Sequence, residues 1–215
     1  MCVRKRAPIF GRFYFMDRQH RALTFDAAAT TAEVVSMIKD RIGLPATASG
    51  FSLFEVFGAL ERNMLPWEKV ADAIFKWEKY AKSTHSSKEL NLTFKKRLFL
   101  GPFQIPKSQV EFDLTFWQAI SDVRNDRFPV TVEEACQLAA LRAQVEIGDW
   151  TQQVAYESII EEYLPKYIQP VVDPVDIASH HKKLKGKDAK MCNILFLKFV
   201  TVSYTHLTLP TILLV

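Results

Sequence analysis

Apolar and polar positions change rhythm near the middle of this chain. Up to about Pro106 they fall into short runs and alternations; beyond it they recur at helical spacing. Two aromatic-rich runs, Arg12-Phe13-Tyr14-Phe15-Met16 and Arg21-Ala22-Leu23-Thr24-Phe25, flank the polar Asp17-Arg18-Gln19-His20, a pattern that predicts a β-hairpin. Thr30 stands three residues before Glu33, the spacing of a capping box. The helix it opens carries Val34, Val35, Ile38 and Ile42 on one face and stops at Gly43. Phe51–Phe57, bounded by Gly50 and Gly58, predicts a strand. Pro66 suits the first turn of a short helix with Val70, Ile74 and Trp77 as its stripe and Trp67 and Phe75 beside it. Leu90, Leu92 and Phe94 alternate with Asn91 and Thr93, a further strand.

The second half predicts helices throughout. Ser108 with Glu111 has capping-box spacing ahead of a helix to about Asp126, with Phe112, Phe116, Ala119 and Val123 inward. Phe128-Pro129 interrupts it. Thr131 with Glu134 opens a helix to Ile147 that is apolar around most of its circumference, as at the centre of a bundle; Gly148 stops it. Ser158–Leu164 is a short helix ended by Pro165. Asp173 caps a helix with Pro174 at its first position that ends near Gly186, and Asp188 starts the last one. Five helices with short links predict a compact bundle.

Composition narrows the function class. The 215 residues are 48% hydrophobic and 24% charged, an ordinary globular balance with enough apolar material for a core. A net charge of +4 is too mild to imply nucleic acid. Cys2, Cys136 and Cys192 are far apart and odd in number, so the expectation is a reducing compartment rather than a disulfide framework. No apolar stretch follows the basic N-terminus as in a signal peptide, and nowhere do about 18 uninterrupted apolar residues occur.

The order hairpin, helix, strand, short helix, strand, followed by a helical bundle, resembles the start of a FERM domain. It corresponds to a ubiquitin-like β-grasp and then an acyl-CoA-binding-protein-like helical bundle, an α+β fold. Local sequence agrees with this. Phe51-Ser52-Leu53-Phe54-Glu55 resembles the family's third strand, and Leu92–Leu100 the entry to its second lobe. Leu138-Ala139-Ala140-Leu141-Arg142-Ala143-Gln144-Val145-Glu146-Ile147-Gly148-Asp149 resembles its most recognisable helix. His181-Lys182-Lys183-Leu184-Lys185-Gly186, with Phe196-Leu197-Lys198, is similar to the close of the second lobe. The likeness is strongest to the FERM domains of unconventional-myosin tails and of pleckstrin-homology/myosin-tail-homology adaptors. The expected division is a basic extension over 1–8, a ubiquitin-like lobe over 9–101 and a helical lobe over 102–201, with the third, pleckstrin-like lobe missing. Residues 202–215 are set apart. Val202–Thr211 is similar, residue for residue, to one reading frame of a sequencing-library adapter, and the alternative is a β-strand with alternating Thr and Leu. On this reading the natural protein continues past Val200.

The resemblance implies a non-catalytic cytoplasmic adaptor, at the cytoskeleton or the inner face of the plasma membrane. Its partners would be the cytoplasmic tails of membrane proteins or cargo adaptors. The alternative is the targeting module of a FERM-containing tyrosine kinase or phosphatase. No dinucleotide, phosphate-loop, zinc-protease or serine-hydrolase motif occurs, and no cofactor is expected. Glu157, Glu161 and Glu162 fit a solvated helix face better than a catalytic pair, and His180-His181 lacks a third ligand at metal spacing. The candidate site is a basic patch, Lys182, Lys183, Lys185, Lys187 and Lys190, extended by Lys198, with Asp188 the one acid between residues 180 and 200. Its candidate ligand is anionic phospholipid; the competing reading is an exposed, solvated helix connection. Arg4-Lys5-Arg6 is similarly ambiguous, the competing reading being part of a linker from a preceding domain. Trp67, Trp77, Trp117 and Trp150 are expected in the core or between lobes.

Overall fold

The computed structural model describes residues 8–85, 87–97 and 104–212, with side chains as far as Val202. The extension with Arg4-Lys5-Arg6, most of the apolar junction 98–103 and the side chains of the adapter-like tail lie outside the described residues. The chain forms two compact units. One takes in the described residues through 97 with 106–115; the other takes in 104–105 with 116–212.

In the first unit, strands β1 (Pro8–Tyr14) and β2 (His20–Asp26) form the predicted antiparallel hairpin. Helix α1 (Thr31–Ile42) follows, then β3 (Phe51–Phe57), β4 (Leu60–Asn63), helix α2 (Val70–Thr84) and β5 (Leu90–Lys96). The sheet order is β2-β1-β5-β3-β4, with β1 and β5 parallel at Phe13 against Leu92 and the other pairs antiparallel. This is the β-grasp expected.

Alternation aims Phe51 and Leu53 of β3, and Leu92 and Phe94 of β5, at one face of the sheet. There they bury with Phe13, Phe25, Val34 and Ile38 in a single core, where Phe51 stacks on Phe94 with ring centroids 5.2 Å apart. The Thr30/Glu33 capping box forms with both bonds present, and Gly43 takes the left-handed conformation (φ +69°) that ends α1.

The structure departs from the pattern in three places. Strand β4 has no signal in the apolar pattern, because Leu-Glu-Arg-Asn shows no alternation and becomes a strand only by pairing with β3. Pro66 does not open α2; it sits in the preceding turn. The carbonyls of Pro66 and Glu68 accept the N–H groups of Ala32 and Thr31, partners for the otherwise unpaired first turn of α1. Helix α2 is also longer than read, 15 residues.

The second unit holds α3 (Gln109–Arg124, shared with the first at its N-terminal turns), α4 (Val132–Glu146), α5 (Glu157–Tyr163), a 3-10 turn at Gln169–Val171, α6 (Pro174–Lys182) and α7 (Ala189–Ile212). Phe112, Phe116, Ala119 and Val123 are all buried, as the spacing predicts. The Thr131/Glu134 capping box forms. In α4, Ala135, Cys136 and all residues from Leu138 to Gln144 are buried, so this helix is the centre of the bundle. The buried Arg142 within it lies against the rings of Phe116 and Tyr163; its two Nη groups donate to Asn193, Glu146 and the Tyr163 hydroxyl, while its buried Nε has no hydrogen-bond partner among the described residues. At Ser108 the carbonyl accepts from Phe112, and the Glu111 carboxylate pairs with Lys96 Nζ at 2.9 Å. The α7 backbone runs on through the adapter-like segment as helix. The strand alternative for that segment fails, since its backbone continues α7 as far as Ile212.

Candidate interaction surface

The connection from α6 to α7 carries the basic patch, and its shape is set by α4. Asp149, just past the end of α4, accepts from the Gly186 N–H at 2.8 Å and from Gln144 Nε2 at 2.7 Å. Gln144 Nε2 also reaches the Lys187 carbonyl at 3.2 Å. These hydrogen bonds hold the Asp149 carboxyl below its ordinary range. Gly186 adopts φ +76°, a conformation that a side chain resists, which lets the chain turn between the helices. Asp188 caps α7 by accepting the Met191 N–H at 2.7 Å.

His181 anchors the connection from beneath. It is fully buried, 3.0 Å from the Tyr156 hydroxyl and 2.9 Å from the Gly148 carbonyl. Burial pushes its pKa down, against the opposing effect of the Gly148 hydrogen bond, so the ring is neutral at pH 7. His181 is therefore a structural residue. Among the described residues no group of three metal-ligating side chains occurs, and no helix is long and apolar enough to cross a membrane.

With its backbone fixed in this way, the connection presents Lys182, Lys183, Lys185, Lys187 and Lys190 to solvent. Lys198 is also exposed, two turns beyond Lys190 on α7. These five lysines thus fall on one short, pinned segment. Lys182 Nζ lies 4.1 Å from the centroid of the Trp150 ring, a cation–π contact that sequence spacing did not signal.

The tryptophans correct the expectation of a core position. None of the four is buried: Trp67 is 70% exposed, Trp117 is on the surface, and Trp77 and Trp150 are half-buried. The half-buried Trp77 stacks on the buried Phe57, with ring centroids 4.6 Å apart, and donates its Nε1–H to the buried Glu55.

Beside the patch, α4, α6 and α7 leave a mostly apolar cavity of about 490 Å³, lined among others by Leu141, Leu184, Leu195 and Phe199. Its lining also contains Lys183 and Lys198, and no carboxylate.

A second polar centre lies in the first unit. Glu55 occupies a core-facing position of β3 and is 3% exposed. It accepts from Arg62 Nε (2.7 Å), Lys76 Nζ (2.9 Å) and Trp77 Nε1 (3.1 Å), which ties α2 and β4 to the sheet. Burial raises its carboxyl pKa, but these hydrogen bonds and the Lys76 charge outweigh burial and leave it lowered.

Residues 7–98 match the family model of the RA-like domain, and residues 105–203 match that of the FERM central domain. Among curated proteins, the myosin-I heavy chain of Dictyostelium discoideum is 25% identical over 207 residues, covering 87% of this chain and 8% of that protein. Among solved structures, the myosin VII MyTH4-FERM MF2 domain of Dictyostelium discoideum superposes with a TM-score of 0.79 at 14% identity, over 92% of this chain and 42% of that one. The human myosin 7b C-terminal MyTH4-FERM domain, solved in complex with the harmonin-a PDZ3 domain, has a TM-score of 0.67 at 18% identity, over 90% of this chain and 41% of that one. The chain thus spans less than half of these two MyTH4-FERM structures and a small part of its curated myosin relative. At these identities the structural likeness establishes the fold, and the two family models establish its parts: the chain carries an RA-like domain followed by a FERM central domain.

Proposed function

We propose that the chain is a non-catalytic part of a FERM adaptor, from a motor tail or a related scaffold. It would link cargo or the cytoplasmic tails of membrane proteins to the cytoskeleton, at the inner face of the plasma membrane. The observation that carries this reading is the succession of an RA-like and a FERM central lobe along the chain. The myosin relative supports the motor-tail assignment, and the complex of myosin 7b with a PDZ domain supports protein partners. We further propose the lobe boundaries at 101/102 and the non-native origin of 202–215. Within this adaptor, the Lys182–Lys190 patch is proposed to contact anionic phospholipid.

Near an anionic leaflet each exposed lysine gains about 1 kcal/mol, an attraction that fades within a Debye length of about 8 Å at physiological salt. Sedimentation with phosphoinositide-containing and neutral liposomes tests this at two salt concentrations. The wild-type chain should pellet with the anionic vesicles alone, and less at high salt. Glutamine at Lys182, Lys183, Lys185, Lys187 and Lys190 should abolish the difference while the melting temperature holds. Equal pelleting with both vesicles overturns the lipid reading.

A further inference from the structure

The cavity beside the lysine patch combines two features that seldom meet by chance on a solvated surface. Its lining is mostly apolar, with Leu141 from α4, Leu184 after α6, and Leu195 and Phe199 from α7; Val202, the first residue of the adapter-like tail, also lines it, and none of the contacts below depends on it. Leu184, Leu195 and Phe199 are only half-buried, so their apolar surface remains in contact with water. Burying such surface is favourable, by about 25 cal/mol for each Å² removed from water. The lysines of the lining, Lys183 and Lys198, are exposed, and no Asp or Glu joins them among the described residues. A plain solvated connection does not need an open apolar floor between three helices, and a purely electrostatic membrane patch does not need one either.

We propose that this groove docks an acidic amphipathic helix from a partner protein. The apolar face of that helix would cover Leu184, Leu195 and Phe199, and its carboxylates would meet Lys183 and Lys198. The occupant follows from complementarity on both counts. A row of leucines at positions i, i+3 or i+4 and i+7 supplies side chains that fit an open groove between helices. A cationic rim favours glutamates over lysines on the flanks of that row, and it repels a basic helix. A second copy of this chain is disfavoured at the same place, because it would bring a like-charged rim. The inference rests on the adaptor reading, and it is independent of whether the remaining lysines touch lipid.

The probe is a synthetic peptide of about 18 residues, five helical turns, with leucines on one face and glutamates on the other. Fluorescence anisotropy with the full chain should show saturable binding. A peptide of the same composition with its leucines scattered, and one with lysine in place of glutamate, should each bind at least tenfold more weakly. Lys183→Gln/Lys198→Gln, both exposed positions, should weaken binding several-fold and flatten its salt dependence. Leu195→Ser should weaken it further. If Leu195→Ser lowers the melting temperature, amide chemical-shift mapping on the wild-type chain decides instead: the shifts must centre on α4, α7 and the 183–186 connection. Equal binding of the scattered or the basic peptide overturns the proposal, as do shifts centred elsewhere. Concentration-dependent dimerisation that competes with the peptide would name a second copy as occupant and also overturns it. Loss of peptide binding with anionic vesicles still pelleting the chain rejects the groove alone. Peptide binding without vesicle binding rejects the lipid reading alone.

Discussion

Glu55→Gln is the sharpest test of how the first lobe is held together. The carboxylate is buried on β3 and receives Arg62, Lys76 and Trp77. The amide is nearly the same shape but carries no charge, and its NH₂ would face donors. Arg62 and Lys76 are about half exposed, so on losing the charge they rehydrate, and each of those pairs counts for only about 0.5 kcal/mol. The Trp77 Nε1 bond is a hydrogen bond to a charged acceptor in a partly buried place, a class worth about 1.5–3 kcal/mol, and the amide oxygen retains part of it. The expected loss is therefore about 2 kcal/mol, a fall of roughly 8–16 °C in the melting temperature of a unit of about 100 residues.

The pH dependence identifies the mechanism. The folded carboxyl titrates below its ordinary value. Its contribution is then present above the unfolded pKa of about 4.3 and is lost as pH falls through the lower folded value. Thermal melts followed by circular dichroism for wild type and variant should thus differ most near pH 7 and converge in strong acid, where wild-type Glu55 is itself neutral. A difference below about 0.5 kcal/mol at pH 7, or one that does not shrink in acid, would refute the assignment of Glu55 as the ionised centre of this cluster.

Three further outcomes are expected. Thr131→Ala removes the α4 capping box and should cost about 1 kcal/mol by urea denaturation, with Thr131→Ser close to wild type. His181→Ala should destabilise the helical lobe by about 3 kcal/mol, since it leaves a cavity and strips partners from Tyr156 and Gly148; because the folded His181 pKa is lowered, wild-type stability should decline as pH falls below the unfolded value of about 6.5, a slope the variant lacks. Genomic sequencing across the codon for Thr201 should not encode Tyr204-Thr205-His206-Leu207 in frame, and finding that tetrapeptide there would restore the tail to the natural protein.

What the sequence determined by itself was whatever its residues settle with near neighbours. The Thr30/Glu33 and Thr131/Glu134 caps join residues three apart, and the all-round apolar α4 announced itself as a bundle centre. Gly43 and Gly148 marked helix ends because both need positive φ. The lysine patch was equally legible, since its members lie within nine positions and all stay in water. Tertiary structure decided the rest. Leu60–Asn63 is a strand only because β3 offers a partner, and Glu111 serves Lys96, fifteen positions away. Glu55 tolerates burial because donors from β4 and α2 converge on it, and Trp150 meets Lys182 across 32 positions. The groove of Leu141, Leu184, Leu195 and Phe199 draws on three helices. Helical and strand periodicity report which way a side chain faces relative to its own element. Which distant group stands there to pair with it, or to leave it uncovered, is fixed only when the elements pack.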